Sequence, residues 1–355
     1  MQEVYPCLSF LSFEREASLH RKKLEEYIWD IVRNLTDSAS SLITRAIAPI
    51  ARKQAMIGPI KLPLTFRVWD SFKVTPVAHH YYQPVFNPHD LAETIWTKSD
   101  PLYGIDMNVH GQLTLLRSFT TYSGELQAIP ISEPFEGYTF FYNNNFFESG
   151  DAEILYSMVR HFKPKKVIEI GCGYSTRLMK HALDKNREEG AVAEQICIEP
   201  YEMPWLEQLG VDKIIRAKVE DIDLGLFDEL EEDCLLFIDS SHTLRTGGDV
   251  YIEYLRILPR LQRGVIIHIH DIFLPFDYPR QWVVSYRRFW TEQYLVQAFL
   301  TFNPEFEILA ALRYLATYHF EEFAAVCPVF AHEFDRRNVP EAITVSPSSF
   351  WIRRK

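Results

Sequence analysis

The stretch Lys166-Val167-Ile168-Glu169-Ile170-Gly171-Cys172-Gly173-Tyr174-Ser175-Thr176 constrains the fold of this chain more than any other. Val167, Ile168 and Ile170 form a short β-prone run of the kind buried in a parallel sheet. Gly171 and Gly173 then remove the side chains that would hold a ligand away from the backbone at the strand's carboxyl end. Residues 175–186 carry Leu178, Met179, Ala182 and Leu183 at helical spacing. The order strand, glycine turn, helix predicts an α/β fold whose first loop cradles a nucleotide-like ligand.

The following segments repeat the plan. Residues 195–198 read as a second strand ending at Glu199, placed to accept hydrogen bonds from ribose hydroxyls. Residues 213–217 read as a third strand, followed by Glu220. Residues 234–238 are a continuous apolar run that ends in Asp239-Ser240-Ser241-His242. Residues 247–258 read as a helix, and 265–269 as another strand, ending in His270-Asp271. Parallel strands place their carboxyl ends on one edge of the sheet, where ligands bind. Asp239, His242, His270 and Asp271 are therefore expected to converge, either to take a proton from an acceptor or to hold a divalent cation. The alternative is that these groups cap loops and satisfy one another.

A dinucleotide-binding turn has a third glycine three residues after the second, where this chain has Thr176. Glu169, Gly171, Gly173 and Ser175-Thr176 instead resemble motif I of class I S-adenosylmethionine-dependent methyltransferases. The segments 141–147, 239–242, 268–273 and 276–279, with 74–76, 80–84, 104–106 and 112–113 upstream, resemble methyltransferase family 24, over most of residues 66–310. The resemblance implies a doubly wound, Rossmann-like seven-stranded sheet of order 3-2-1-4-5-7-6 with the last strand antiparallel. It implies S-adenosyl-L-methionine as cofactor, bound by Glu169, Gly171, Cys172, Gly173, Ser175, Thr176, Glu199, Glu220 and Asp239. Related magnesium-dependent sugar O-methyltransferases place acids where Asp239, His270 and Asp271 stand here. His270 departs from that pattern, which leaves magnesium, manganese, iron, zinc or no metal as the alternatives. Asp239, His242 and His270 are the candidate catalytic groups, acting on an oxygen of a small molecule of specialised metabolism. An iron oxygenase-like enzyme on the same fold and a non-catalytic interaction module are the rival readings.

With 355 residues the chain exceeds what a methyltransferase sheet needs, so residues 1–150 are read as an N-terminal helical, lid or dimerisation region before a domain at 151–355. A net charge of −11 argues against sequence-independent nucleic-acid binding. Five cysteines (Cys7, Cys172, Cys197, Cys234 and Cys327) without a close CxxC pair suggest a reduced, cytoplasmic protein. No apolar run has the length of a membrane span. Residues 14–35 show an amphipathic stripe (Leu19, Leu24, Ile28, Ile31, Leu35), a candidate homodimer face. Residues 38–66 have basic but no acidic side chains, with Pro49, Pro59 and Pro63 expected to break helical structure.

Aromatic residues cluster at 66–96 and 138–147, with His80 and Tyr82 as candidate substrate contacts. Residues 282–302 read as one long helix in which Glu292 and Gln293 have no decided role. Residues 306–312 and 349–353 are read as a closing antiparallel pair.

Overall fold

The computed structural model describes residues 8–134, 137–337 and 347–355, and among these the side chains of 33–134, 137–333 and 347–355. Cys7 lies outside the described residues, as do the side chains of the 14–32 stripe. Two compact units are present, Met1–Asn87 and Pro88–Lys355. Residues 88–150, grouped with the N-terminal part in the sequence reading, pack with the second unit: Gln112 Oε1 accepts from the Ala311 amide at 2.7 Å, and the Tyr156 hydroxyl donates to Glu125 at 2.6 Å.

The first unit holds α1 (Leu8–Ile57) and α2 (Pro63–Ser71). Pro49 was expected to break α1, yet the helix runs through it. One proline removes a single i to i−4 bond, and a helix this long continues on either side of the loss. The Trp69 indole of α2 donates to Gln54 Oε1 of α1 at 2.9 Å.

The second unit is built on a sheet of order β3-β2-β1-β4-β5-β7-β6, as expected. The strands are β1 (Lys166–Ile170), β2 (Glu194–Ile198), β3 (Lys213–Ile215), β4 (Leu235–Ile238), β5 (Ile266–Ile269), β6 (Phe306–Ala311) and β7 (Phe350–Arg354). The first five run parallel, and β7 pairs antiparallel with both β5 and β6. Among the described residues, the helices α11 (Leu312–Tyr318), α12 (Phe320–Val326) and α13 (Pro328–Arg337) lie in sequence between β6 and β7.

Strand alternation sends successive side chains to opposite faces. Val167, Leu235, Phe237, Ile266 and Trp351 meet α5 (Asp151–Phe162), α6 (Tyr174–Glu188), α11 and α12 on one face. Ile168, Ile170, Leu236, Ile238, Ile267 and Ile352 form the other core with Val250 of α8 (Asp249–Ile252) and with Val296 and Leu300 of α10 (Glu292–Leu300). Both faces are covered, which is why these strands read as mostly apolar runs and not as a strict apolar–polar alternation.

Two helices differ from expectation. The 247–258 segment starts as α8 but widens into a π turn at Glu253–Ile257. The expected 282–302 helix is two, α9 (Arg280–Val284) and α10. Between them Arg287 takes a φ of 56°, and the Arg288 guanidinium lies 4.5 Å from the Trp282 ring centroid and 4.9 Å from that of Trp290. The aromatic sandwich competes with the helical path and wins there.

Candidate functional site

The glycine turn is fixed by three neighbours. Gly171 has a φ of 80°, and a Cβ on it would overlap the main-chain oxygen of Asp239, so both conformation and space require glycine. Its amide donates to Ile198 O at 3.0 Å, while the Asp239 amide donates to Ile170 O at 2.9 Å. The Cys172 amide donates to Glu199 Oε2 at 3.2 Å, and the other oxygen of Glu199 accepts from the Tyr201 amide at 2.9 Å. Glu199 thus ties the end of β2 to the turn. Gly173 is extended, with open space where a Cβ would stand.

Thr176 explains why no third glycine is needed. Its Oγ1 accepts from the Gly173 amide at 3.0 Å and caps the start of α6. Ser175 Oγ donates to Glu169 Oε1 at 2.8 Å beneath the turn. Glu169 is fully buried, and burial pushes its carboxyl up to about 8. Glu220 is half-buried on a single 3-10 turn, Val219–Asp221, after β3.

The four strand-end groups come together as expected. His242, held at a φ of 57°, places Nε2 at 3.3 Å from Asp239 Oδ1 and 3.6 Å from Asp271 Oδ2. His270 Nε2 lies 3.7 Å from Asp271 Oδ1. Ser348 Oγ donates to Asp271 Oδ1 at 3.1 Å, and Ser349 Oγ lies 3.4 Å from His270 Nδ1. Those two serines are themselves held by Asp151, whose carboxylate accepts from both of their amides.

Burial opposes the charged form of His242, but the hydrogen bonds to Asp239 and Glu292 and the nearby charge of Asp271 outweigh it and raise its pKa well above the ordinary imidazole value. His270 is also raised: burial lowers it, and Asp271, Asp239 and Asp151 more than compensate. For Asp239 burial pushes upward, yet the two imidazoles prevail and the carboxyl is lowered. Burial wins at Asp271, which is raised.

Glu292, left without a role in the sequence reading, belongs to this cluster. Its Oε2 lies 2.7 Å from His242 Nδ1, and its Oε1 accepts from the Tyr254 hydroxyl at 2.8 Å. Gln293 instead serves the fold, its Oε1 accepting from the Phe273 amide at 3.1 Å. The only sequence signal for Glu292 was an acid at the start of an apolar helix, a common cap.

The aromatic segment before α5 forms a wall. Phe147 lies 5.1 Å from the His270 ring, and Phe141 and Phe146 contact Tyr174, the first residue of α6. Asn144 organises this wall: its side chain donates to Phe141 O and Phe147 O and accepts from the amides of Phe146 and Phe147, at 2.7–2.9 Å. His80 and Tyr82 belong to the first unit, where they are exposed and their rings cluster with Tyr81.

The expected metal ligands Asp239, His270 and Asp271 are not drawn into a tight set. Among the described residues, the three-ligand group whose donor atoms all lie within 4.8 Å of one another is Glu169, Cys172 and Cys197, beneath the glycine turn. Cys172, Cys197, Cys234 and Cys327 are free thiols. No helix among the described residues is long and apolar enough to cross a membrane.

Residues 168–272, from β1 to just past β5, match the family 24 model, described as a methyltransferase domain. An uncharacterized protein of Archaeoglobus fulgidus is 29% identical over 181 residues, covering 47% of this chain and 80% of that protein. Among solved structures, the plantazolicin methyltransferase BamL, in complex with a triazolic desmethylPZN analog and SAH, is 12% identical; the match covers 68% of this chain and 99% of that one, with a TM-score of 0.38. A SAM-dependent methyltransferase from Archaeoglobus fulgidus is 15% identical over 59% of this chain and 96% of its own, with a TM-score of 0.33. An O-methyltransferase from Bacillus cereus in complex with SAH is 12% identical over 55% and 82%, with a TM-score of 0.29.

Proposed function

We propose that this chain, which carries a class I methyltransferase domain, transfers the methyl group of S-adenosylmethionine to an oxygen of a small molecule, with His242 taking the acceptor's proton. The observation that carries this reading is His242 Nε2, set between Asp239 and Asp271 at the carboxyl ends of adjacent strands, beside the glycine turn.

In this reading the turn from Gly171 to Gly173, with Glu169, Ser175 and Thr176 bracing it, receives the methionine half of the cofactor. Glu199 meets the ribose and Glu220 the adenine side. Cys172 contributes its amide and a small packing side chain. The acceptor hydroxyl gives its proton to His242 Nε2 while its oxygen attacks the methyl carbon. The carbon–sulfur bond breaks, its electron pair returns to sulfur, and S-adenosylhomocysteine leaves. Asp239, Asp271 and Glu292 stabilise the imidazolium that forms. The raised basicity of His242 suits a weakly acidic hydroxyl. Alignment and exclusion of water by Phe147 and Trp290, which lies 4.3 Å from the His242 ring, supply the rest.

A divalent cation is a poor fit to this arrangement. The donor atoms of Asp239, His270 and Asp271 do not all lie within 4.8 Å of one another, and Asp239 and Asp271 both face His242 Nε2, so the imidazolium supplies the positive charge between them. The acceptor we propose is a small molecule of specialised metabolism.

Calorimetry with S-adenosylmethionine tests the reading directly. Saturable heat with one site per chain is expected. Absence of both heat and thermal shift at millimolar cofactor would reject it and favour a non-catalytic module.

A further inference from the structure

We propose that Glu292 is a positioning residue for His242, fixing the ring so that Nδ1–H points away from the site and Nε2 faces the strand ends. The inference rests on the methyltransferase reading, because it concerns the group given the acceptor's proton.

Glu292 has the geometry of an orienting group. It is 0% exposed and 2.7 Å from His242 Nδ1, and the Tyr254 hydroxyl holds its second oxygen at 2.8 Å. A buried carboxylate with both oxygens bonded cannot swing to another partner without leaving a donor unpaired. The same helix start also grips the backbone of His242: the amides of Thr291 and Glu292 donate to its carbonyl oxygen at 2.9 and 3.1 Å. Thr291 Oγ1 accepts from the Leu244 amide at 2.8 Å on the far side. These bonds clamp a residue that has to sit at positive φ, a conformation unfavourable for a side chain bearing Cβ. Trp290 packs on the ring and removes its remaining freedom.

The arrangement settles the chemistry of the two ring nitrogens. A carboxylate can only accept, so Nδ1 carries a proton in either charge state of the ring. Nε2 is then the nitrogen that gains and loses a proton, and it faces Asp239 and Asp271. An ordinary helix cap would turn the glutamate toward amides of its own first turn; the bonds to His242 and Tyr254 run elsewhere.

The test uses the full chain labelled with ¹⁵N-histidine, with His242 assigned by the loss of its signals in His242→Asn. The wild-type protein should show a deshielded, slowly exchanging proton on Nδ1 of His242. Glu292→Gln fills the same volume and still offers an oxygen, so the proton should stay on Nδ1 but lose much of its deshielding, with the melting temperature close to wild type. Glu292→Ala should lose the proton to exchange. A packing role alone would leave Glu292→Gln indistinguishable from wild type, and that result overturns the proposal. A wild-type ring protonated on Nε2 alone overturns it as well. Calorimetry with S-adenosylmethionine on the same samples separates the two levels: cofactor binding without the Nδ1 signature refutes the positioning role and leaves the methyltransferase reading standing. The signature without cofactor binding refutes that reading, and the catalytic purpose of the dyad with it.

Discussion

A Cβ on Gly171 would overlap the main-chain oxygen of Asp239, so the glycine turn after β1 and the end of β4 occupy one closely packed corner. Gly171 also has positive φ, which costs an L side chain about 1–2 kcal/mol, and the overlap adds about 1–3 kcal/mol for displaced backbone. Gly171→Ala should therefore lose about 2–5 kcal/mol in urea denaturation. Gly173→Ala is the contrast, since it is extended with nothing nearby. That variant should keep its stability and lose cofactor affinity in calorimetry, because its methyl group enters the space given to the ligand.

Glu169 makes a pH prediction. Burial raises its folded pKa from 4.5 to about 8, so the folded state binds the proton more tightly than the unfolded chain. Its favourable contribution is complete below pH 4.5 and is lost as pH rises through about 8. Glu169→Gln cannot ionise and should lack this loss. Above pH 8 the variant should gain relative to wild type, with a ceiling of about 5 kcal/mol from the size of the shift. Denaturation curves at pH 5 and pH 8.5 check it, and a wild-type curve that strengthens relative to the variant with rising pH would contradict it.

His242 shifts in the same direction for another reason. Asp239, Asp271 and Glu292 hold its proton against the cost of burial, so its folded pKa lies well above 6.5. The sign is the same as for a raised acid: stabilisation is complete below 6.5 and fades as pH climbs through the folded value. An NMR titration should find the His242 ring still charged at pH 6.5, where a free imidazole is half deprotonated. Methyl transfer should rise as pH climbs through the folded value that the same titration finds, because Nε2 is then freed to accept a proton, and a rate that falls across that value would count against His242 as the base.

Asp239→Ala separates acceptor chemistry from cofactor binding. Asp239 lies against His242 Nε2, while the turn is held by backbone bonds and by Glu199. Turnover should be abolished, with cofactor affinity kept within about tenfold. If calorimetry shows affinity collapsing as well, the roles given to Asp239 and Glu199 are misassigned.

The parts of this fold legible in sequence share one physical cause. Four parallel strands, β1, β2, β4 and β5, are buried and appear as apolar runs, and because they run the same way the residues at or just past their carboxyl ends, Glu169, Glu199, Asp239 and His270, share an edge. Side chains that arrive from elsewhere leave no such trace. Glu292 reaches His242 from a helix 50 positions later, and Asp151 reaches Ser348 and Ser349 from the first turn of α5. The break between α9 and α10 was hidden because Trp290, Tyr294, Leu295, Ala298 and Phe299 suit a helix in spacing, while the stacking of Arg288 on Trp282 and Trp290 that interrupts it leaves no periodic mark. The helix through Pro49 was missed for the opposite reason, a local penalty that a long helix absorbs.

Asn144 carries the last prediction. It is 3% exposed, and its amide bonds four backbone groups of Phe141, Phe146 and Phe147, fixing the wall that touches His270 and Tyr174. Asn144→Asp keeps size and shape but turns the donating nitrogen into a second oxygen facing two carbonyls. Buried carbonyls left without donors cost about 1–3 kcal/mol each, so the variant should lose about 2–6 kcal/mol if the wall stays in place. Loosening the backbone around Phe146, which is already exposed, lets water reach the two carbonyls and is the cheaper response as long as the Phe141 and Phe147 rings stay buried. The global loss in urea should then stay small, and hydrogen exchange should rise at the amides of 141–147 while those of β1 and β4 stay protected. Protection unchanged at 141–147 in Asn144→Asp would show that the wall is held by its aromatic contacts and not by this amide.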